Sequence, residues 1–165
     1  MDIKVDNLAS GEVIALLEEH LADMYATSPA ESVHALDIAA LKAPEITFYS
    51  CWQDEKLLAC AALRKLDKNH VELKSMRTVS NARNLGVASL LLQHLITVAT
   101  ASNYQKISLE TGSMDFFKPA RSLYKKFGFE FCQPFGAYQL DPNSYFMSYE
   151  IGAKPNQLFV RLENP

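Results

Sequence analysis

A short segment of the chain combines the residue types that proteins use to hold a phosphate. Arg83, Gly86 and Ala88 lie three and two residues apart, and densely apolar sequence begins at Leu85. The first turn of a helix carries unpaired backbone N–H groups and the positive end of the helix dipole. Small residues would let a phosphate approach these groups, and Arg83 would add a positive charge. The segment predicts a pyrophosphate site, although a glycine here also serves simple packing, and the Walker A and Rossmann patterns are absent.

A predicted strand and a predicted helix must position this segment. Residues 71–79 alternate with the period of a strand, and residues 85–99 are apolar enough for a helix that is buried on most of its surface. The alternation places on one face Glu72, Lys74, Met76 and Thr78, and on the other Val71, Leu73, Ser75, Arg77 and Val79. The phosphate-binding segment would then lie in the loop between strand and helix.

Composition and charge exclude several classes of function. The 165 residues are 48% hydrophobic and 21% charged, which is typical of one soluble globular domain spanning 1–165. A net charge of −3 argues against nucleic acid as a partner. No apolar run could span a membrane and the N-terminus lacks a signal-peptide pattern, so we expect a cytoplasmic protein with no membrane partner. The three cysteines and four histidines lack metal-ligand spacing, so no metal is expected.

The remaining pattern predicts an α/β fold with a mixed central sheet. The elements follow the order β, α, α, β, β, β, α, β, α, β, β, which gives six to seven strands flanked by about four helices. The second helix is predicted between Pro29 and Pro44, and the clear parallel crossover is the strand–helix–strand of 71–110. The apolar residues 158–160 are expected to form an added edge strand or a docking tail.

Two motifs resemble those of a known enzyme family. The spacing of Arg83, Gly86 and Ala88 after a strand with Glu-Leu-Lys resembles the acetyl-CoA motif of the GNAT acetyltransferases, Gln/Arg-x-x-Gly-x-Gly/Ala. The sequence ARSLYKKFGF from Ala120 to Phe129 resembles the family's second motif, Ala-x-x-Leu-Tyr-x-x-x-Gly-Phe. The predicted element order is also that of the GNAT fold. A bacterial branch labelled YsnE-like or indole-acetic-acid-acetyltransferase-like is similar to this chain in residues 72–78, 109–114 and 141–144.

The resemblance implies an enzyme and an acyl donor. It indicates an acetyl-CoA-dependent N-acetyltransferase that moves an acetyl group to a primary amine of a small molecule or peptide, directly, in a ternary complex. A non-catalytic acyl-CoA-binding or sensing module on the same fold is the alternative. By the family pattern the donor would contact Met76, Arg77, Thr78, Arg83, Asn84, Leu85, Gly86, Val87, Ala88, Ser89, Ala120 and Tyr124. The family commonly has asparagine where this chain has Phe117 and glycine where it has Asn84, which puts one donor contact in doubt at each position.

Three residues are expected from the resemblance to carry the chemistry. Glu72, eleven positions before Arg83, resembles the general base of histone-acetyltransferase-type members, or else is a surface carboxylate balancing Lys74. The backbone N–H of Met76 would bind the oxyanion. Tyr124 would protonate the departing thiolate, or else is an aromatic residue packed in its helix face.

The acceptor cleft of the GNAT fold is lined by the first two helices and the loop between them. On that pattern Tyr25, Glu31 and His34 are the predicted acceptor-binding residues, and each could serve instead in a loop or helix cap.

Aromatic residues late in the chain could add a wall to the acceptor cleft. Phe135, Tyr138 and Tyr145 would suit a flat or small organic acceptor. Family members often form dimers, and residues 158–160 could serve a homodimer interface.

Overall fold

Seven strands form the sheet at the centre of this protein. The computed structural model describes residues 1–152, so residues 158–160 lie outside the described part of the chain. The strands are β1 (Asp2–Val5), β2 (Ile46–Gln53), β3 (Lys56–Lys65), β4 (His70–Thr78), β5 (Lys106–Gly112), β6 (Glu130–Phe131) and β7 (Ser144–Glu150). Their spatial order is β1-β2-β3-β4-β5-β7-β6, and only β4 and β5 run parallel within residues 1–152. The predicted mixed sheet and its parallel crossover are confirmed.

Four α-helices flank the sheet in the described residues, in the predicted order. They are α1 (Gly11–Thr27), α2 (Ile38–Leu41), α3 (Val87–Ala101) and α4 (Lys118–Lys126). Ser10 caps α1 by accepting a hydrogen bond of 3.2 Å from the Val13 N–H. In residues 1–152 no helix has the length and apolar character needed to cross a membrane.

The second helix is shorter than its predicted range. Ala30–Ser32 form a single 3₁₀ turn, and α2 begins only after Asp37, whose carboxylate accepts a hydrogen bond of 2.8 Å from the Ala40 N–H. An aspartate cap favours a helix start at its own position, which leaves 33–37 without helical structure. This extended segment is available to line a cavity.

Alternating side chains divide the core between the two faces of the sheet. Leu73 and Leu109 face α3 and α4, and they join a cluster that contains Leu91, Leu95 and Tyr124. The opposite face buries another cluster, which includes Val13, Leu17, Leu41, Phe48, Cys60 and Ala62 and packs α1 and α2 on the sheet. We call the first side the helix-3/4 face and the second the helix-1/2 face.

The parallel pair β4 and β5 separates part of the way along its length. The residues paired between the two strands are His70 with Lys106, Val71 with Ile107 and Glu72 with Ser108. Both strands continue beyond the last pair, β4 to Thr78 and β5 to Gly112. A gap therefore opens in the sheet after Glu72, while β3 and β7 stay paired to the outer sides of the two strands.

A β-bulge in β4 borders this gap. Cys60 pairs with Arg77 and Ala62 pairs with Lys74, so Ser75 and Met76 together oppose Ala61. Ser75 has a φ of +53°, which gives the strand a local kink.

The bulge corrects the predicted faces of β4. Strict alternation predicts that Met76 lies on the other face of the sheet from Leu73, and that Arg77 lies on the other face from Glu72. The extra residue reverses the alternation. Met76 packs with the cluster on the helix-3/4 face, and Arg77 on the other face pairs with Glu19 and Asp23 of α1 at 2.6 Å each.

Candidate active site

A cavity of about 540 Å³ occupies the gap between β4 and β5. Residues of α3 and α4 line it on the helix-3/4 face, and residues of α1 and segment 32–35 line it on the helix-1/2 face. Because the cavity is bounded by elements of both faces, two ligands can approach the same point from opposite sides of the sheet. We call its two halves the helix-3/4 arm and the helix-1/2 arm.

The start of α3 borders the helix-3/4 arm with uncapped backbone amides. Gly86 is the N-cap residue at a φ of +79° and provides no side-chain hydrogen bond, and a Cβ built there meets no atom of residues 1–152 within 4 Å. Asn84 is also left-handed, with a φ of +61°. Arg83 lines the same wall. These residues fit a pyrophosphate, because the first-turn amides face open space beside a formal positive charge.

The predicted donor-binding residues line this cavity with one exception. Leu85 lies outside it with a side chain that is 66% exposed, because the left-handed residues on either side turn it to the surface. Arg77 lines the cavity although its guanidinium is engaged by α1. The residues brought together are Met76, Arg77, Thr78, Arg83, Asn84, Gly86, Val87, Ala88, Ser89, Ala120 and Tyr124.

Tyr124 reaches the cavity from α4 on the helix-3/4 face. Its ring packs in the core with Phe129, at a centroid distance of 5.7 Å, and the residue also lines the cavity. Burial, and then the charge of Glu110, raise the pKa of Tyr124 to about 12. The phenol therefore remains protonated at neutral pH and can donate a proton. Packing and a chemical role are compatible at this position.

Met76 lies in the bulge at the border of the gap. The bulge removes it from regular pairing with β3, and β5 has already separated from β4 at this level. Met76 therefore lines the cavity at a point where, within the described residues, it is paired with no residue of β3 or β5, and an amide there could bind a developing negative charge.

Glu72 lies at the closed end of the gap and not on the cavity wall. The residue is 1% exposed, and one carboxylate oxygen lies 3.5 Å from the Nζ atom of Lys74. The other oxygen has no hydrogen-bond partner in residues 1–152. The Lys74 ammonium also donates a 2.8 Å hydrogen bond to the Tyr138 hydroxyl. Glu72 is therefore a buried carboxylate paired with Lys74, and the predicted surface position is wrong.

Glu110 lines the cavity and was missed in the sequence. Burial raises its pKa to about 7, against the lowering influence of the Ser144 hydroxyl and the Lys74 ammonium. The sequence indicates that Glu110 and Leu109 lie on opposite faces of β5. The position of Glu110 at the gap, however, depends on the pairing of β5 with β4. This carboxylate is half-ionised near neutral pH.

The predicted acceptor residues are only partly brought together. His34 lines the helix-1/2 arm, together with Ser28 and Ser32. Tyr25, with 60% of its side chain exposed, and Glu31 lie outside the cavity, because each lies on a solvent-exposed part of α1 or the 3₁₀ turn.

Of the three aromatic residues that were expected to line the acceptor cleft, one lines the cavity. Tyr138 lines the cavity and packs edge-on against His34 at a ring distance of 5.1 Å. Phe135 packs against Tyr138 and does not reach the cavity. Tyr145 packs against Phe131 and the Arg121 guanidinium, since its position in β7 places it away from the gap.

Phe117 replaces the family's asparagine with an apolar wall. Its ring lies against the backbone of Gly112, where a Cβ would come within 2.2 Å of two ring atoms. Both residues line the cavity. Any donor contact at this position is therefore made with a ring face and not with a side-chain amide.

Proteins of known family resemble this chain in sequence. The sequence model of the acetyltransferase (GNAT) family matches residues 13–129. The N-acetyltransferase YsnE of Bacillus subtilis is 49% identical over 151 residues, which cover 92% of this chain and all of YsnE. The N-acetyltransferase YedL of Escherichia coli is 47% identical, over 90% of this chain and 94% of YedL.

Solved structures share the fold. An acyl-CoA N-acyltransferase from Klebsiella pneumoniae superposes with a TM-score of 0.77 at 22% identity, over 91% of this chain and 97% of its own. An aminoglycoside 6'-N-acetyltransferase in complex with coenzyme A superposes with a TM-score of 0.67 at 14% identity, over 94% of this chain and 99% of its own. The chain thus belongs to the GNAT family of acetyltransferases.

Proposed function

We propose that the protein transfers the acetyl group of acetyl-CoA to a primary amine of a small molecule or peptide, directly, in a ternary complex. The observation that carries this proposal is the cavity through the sheet, whose two arms meet at the gap between β4 and β5. The donor enters by the helix-3/4 arm, where the α3 amides and Arg83 lie, and the amine enters by the helix-1/2 arm.

The groups around the gap match the needs of aminolysis. The N–H of Met76 stabilises the oxyanion, and a prealigned donor of this kind can contribute about 3 kcal/mol in the transition state. Tyr124, whose phenol is protonated at neutral pH, donates a proton to the departing sulfur. His34 and Tyr138 contact the acceptor from the helix-1/2 face.

The positions of the cysteines support direct transfer over a covalent acetyl-enzyme. All three cysteines lie in the described residues, and none of them lines the cavity. Burial raises the pKa of Cys60 to about 12, so its thiol is not a nucleophile at neutral pH.

Initial-rate kinetics test the proposal. Coenzyme A release is measured from acetyl-CoA with a panel of chemically diverse primary amines. We expect release with at least one amine and intersecting double-reciprocal lines. Parallel lines would contradict direct transfer, and tight acetyl-CoA binding without release for any amine would identify a binding module.

A further inference from the structure

The acceptor amine must lose a proton before it attacks, and two carboxylates lie near the gap. They are Glu72 of β4 and Glu110 of β5, and both lie on the helix-1/2 face. An alkylammonium has a pKa of about 10.4, so nearly all of it is unreactive at neutral pH. The group that removes this proton must contact the amine, directly or through a water.

We infer that Glu110, and not Glu72, is the general base of this enzyme. This inference rests on the proposed amine acetylation. Glu72 belongs to the last hydrogen-bonded pair of β4 and β5, with Ser108 opposite it, so the sheet is still closed at its level. Glu110 lies two residues past Ser108, on the same face, where the strands have separated and the residue lines the cavity.

Tyr124 lies on the opposite side of the gap from Glu110. Tyr124 belongs to the cluster on the helix-3/4 face, together with Leu109, and Glu110 alternates with Leu109 in β5. A thioester held in the gap would therefore have an acid on the donor side and a base on the acceptor side. This is the arrangement that attack from the helix-1/2 arm requires.

The surroundings of Glu110 suit proton acceptance near neutral pH. Burial is the main influence and raises its pKa to about 7. The groups that face it are Lys74 and Glu72 of β4, Ser144 of β7, Tyr124 of α4, and Asp141 and Tyr138 of the connection before β7. A base whose pKa lies near the working pH combines an ionised population with a useful driving force.

Glu72 has a structural role that accounts for its burial. Its carboxylate lies 3.5 Å from the Lys74 ammonium, which is itself 7% exposed. The Tyr138 hydroxyl accepts a hydrogen bond from the same ammonium. Removing the Glu72 charge would leave Lys74 buried without its ion pair, so loss of stability is expected.

Two imidazoles also line the helix-1/2 arm. Burial, and then the charge of Arg77, lower the pKa of His20 to about 4, which makes its imidazole a weak base. His34 packs edge-on against Tyr138, and histidine is the side chain that most often serves as a general base in enzymes. His34 is therefore the competitor that an experiment must separate from Glu110.

The protons and bonds of the proposed step balance. Glu110 accepts one proton from the ammonium and later releases it to solvent. The neutral nitrogen forms a bond to the acetyl carbon, the carbon–sulfur bond breaks, and Tyr124 protonates the sulfur. The second proton lost by nitrogen restores Tyr124. The amine as its ammonium plus acetyl-CoA gives the acetamide, coenzyme A and one proton.

The pH dependence of kcat/KM, measured on an amine that the enzyme acetylates, tests the inference. For the unaltered enzyme we expect activity to fall below about pH 7 as one group is protonated. Glu110→Gln should lower kcat/KM roughly 100-fold to 10,000-fold and remove this acid limb. Glu72→Gln and His34→Gln should still show the fall of kcat/KM below about pH 7. Calorimetry should show acetyl-CoA affinity within threefold of the unaltered enzyme for Glu110→Gln.

A second measurement needs no turnover. Carbon-13 NMR of labelled glutamate carboxyl groups in the free protein should show one carboxyl that titrates near pH 7 and is missing in Glu110→Gln. Titration of Glu110 near pH 4, near-normal activity of Glu110→Gln, or loss of the limb in Glu72→Gln or His34→Gln would overturn the inference. If no amine is acetylated while the NMR titration is as expected, the proposed function fails instead, and the base role fails with it.

Discussion

Two side chains on opposite faces of the sheet, Tyr124 and Glu110, owe their chemistry to burial. Burial removes hydrating water from the charged form of a phenol and of a carboxyl group, which disfavours ionisation, so the pKa of each rises. The effect keeps Tyr124 protonated and leaves Glu110 half-ionised near pH 7. One physical cause thus raises the pKa of both the proposed acid and the proposed base.

The acid role of Tyr124 is tested by Tyr124→Phe. The substitution keeps the ring that packs against Phe129 and removes only the proton donor. We expect kcat to fall roughly 100-fold or more with acetyl-CoA affinity within threefold, measured by steady-state kinetics and calorimetry. Tyr104→Phe is the matched control, because Tyr104 packs against the same core and does not line the cavity. Equal kcat in the two variants would contradict the role.

The raised pKa of Glu110 also makes the stability of the protein depend on pH. The folded state favours the neutral carboxyl group, so this stabilising contribution is complete below the unfolded value near 4.5 and is lost as pH rises through about 7. Glu110→Gln should therefore be more stable than the unaltered protein at pH 8, by about 1–3 kcal/mol, and no more stable at pH 4.

Urea unfolding at the two pH values measures this difference. Glu130→Gln is the control, because Glu130 is an exposed residue of β6 outside the cavity and forms no ion pair within residues 1–152. Its stability relative to the unaltered protein should be the same at pH 4 and pH 8. A Glu110→Gln variant that is destabilised at pH 8 would contradict burial as the source of the raised pKa.

At the scale of the element, α3 presents its first amides to the cavity because Gly86 adopts a left-handed conformation without a side chain. Gly86→Glu should place a carboxylate where the pyrophosphate binds, and we expect acetyl-CoA affinity to fall at least tenfold by calorimetry, roughly 1.4 kcal/mol. Gly152→Glu is the matched control, since Gly152 has a φ of +81° against +79°, lies outside the cavity and, among residues 1–152, likewise has no atom close to a Cβ built on it. Equal affinity in the two variants would place the pyrophosphate elsewhere.

How far the sequence predicted these features depends on whether their signals are local. Gly86 and Tyr124 belong to short motifs, and Ser10 caps its own helix, so each is recognisable within about ten residues. The bulge at Ser75 leaves no pattern in the alternation of β4, because the φ of a serine is set by its neighbours in the sheet. The reversed faces of Met76 and Arg77 follow from that one residue.

The choice between Glu72 and Glu110 was beyond local sequence for a related reason. Each glutamate follows the alternation of its own strand, and both side chains lie on the same face of the sheet. What separates them is the position where β4 and β5 part, which is a property of two strands that are about thirty residues apart in the chain. Spacing to a motif indicated Glu72, and the pairing of distant strands indicates Glu110.

At the scale of the whole molecule, the gap gives the sheet two inner borders in addition to its outer strands β1 and β6. Backbone groups of β4 and β5 that face the gap lack the partners they would have in a closed sheet, so their amide hydrogens should exchange with deuterium faster than those of the closed end at 70–72. An extended ligand with amide groups of its own can pair with such a border. Acetyl-CoA should therefore slow deuterium uptake in 73–78 and 109–112 much more than in β2 and β3, as hydrogen–deuterium exchange mass spectrometry would show.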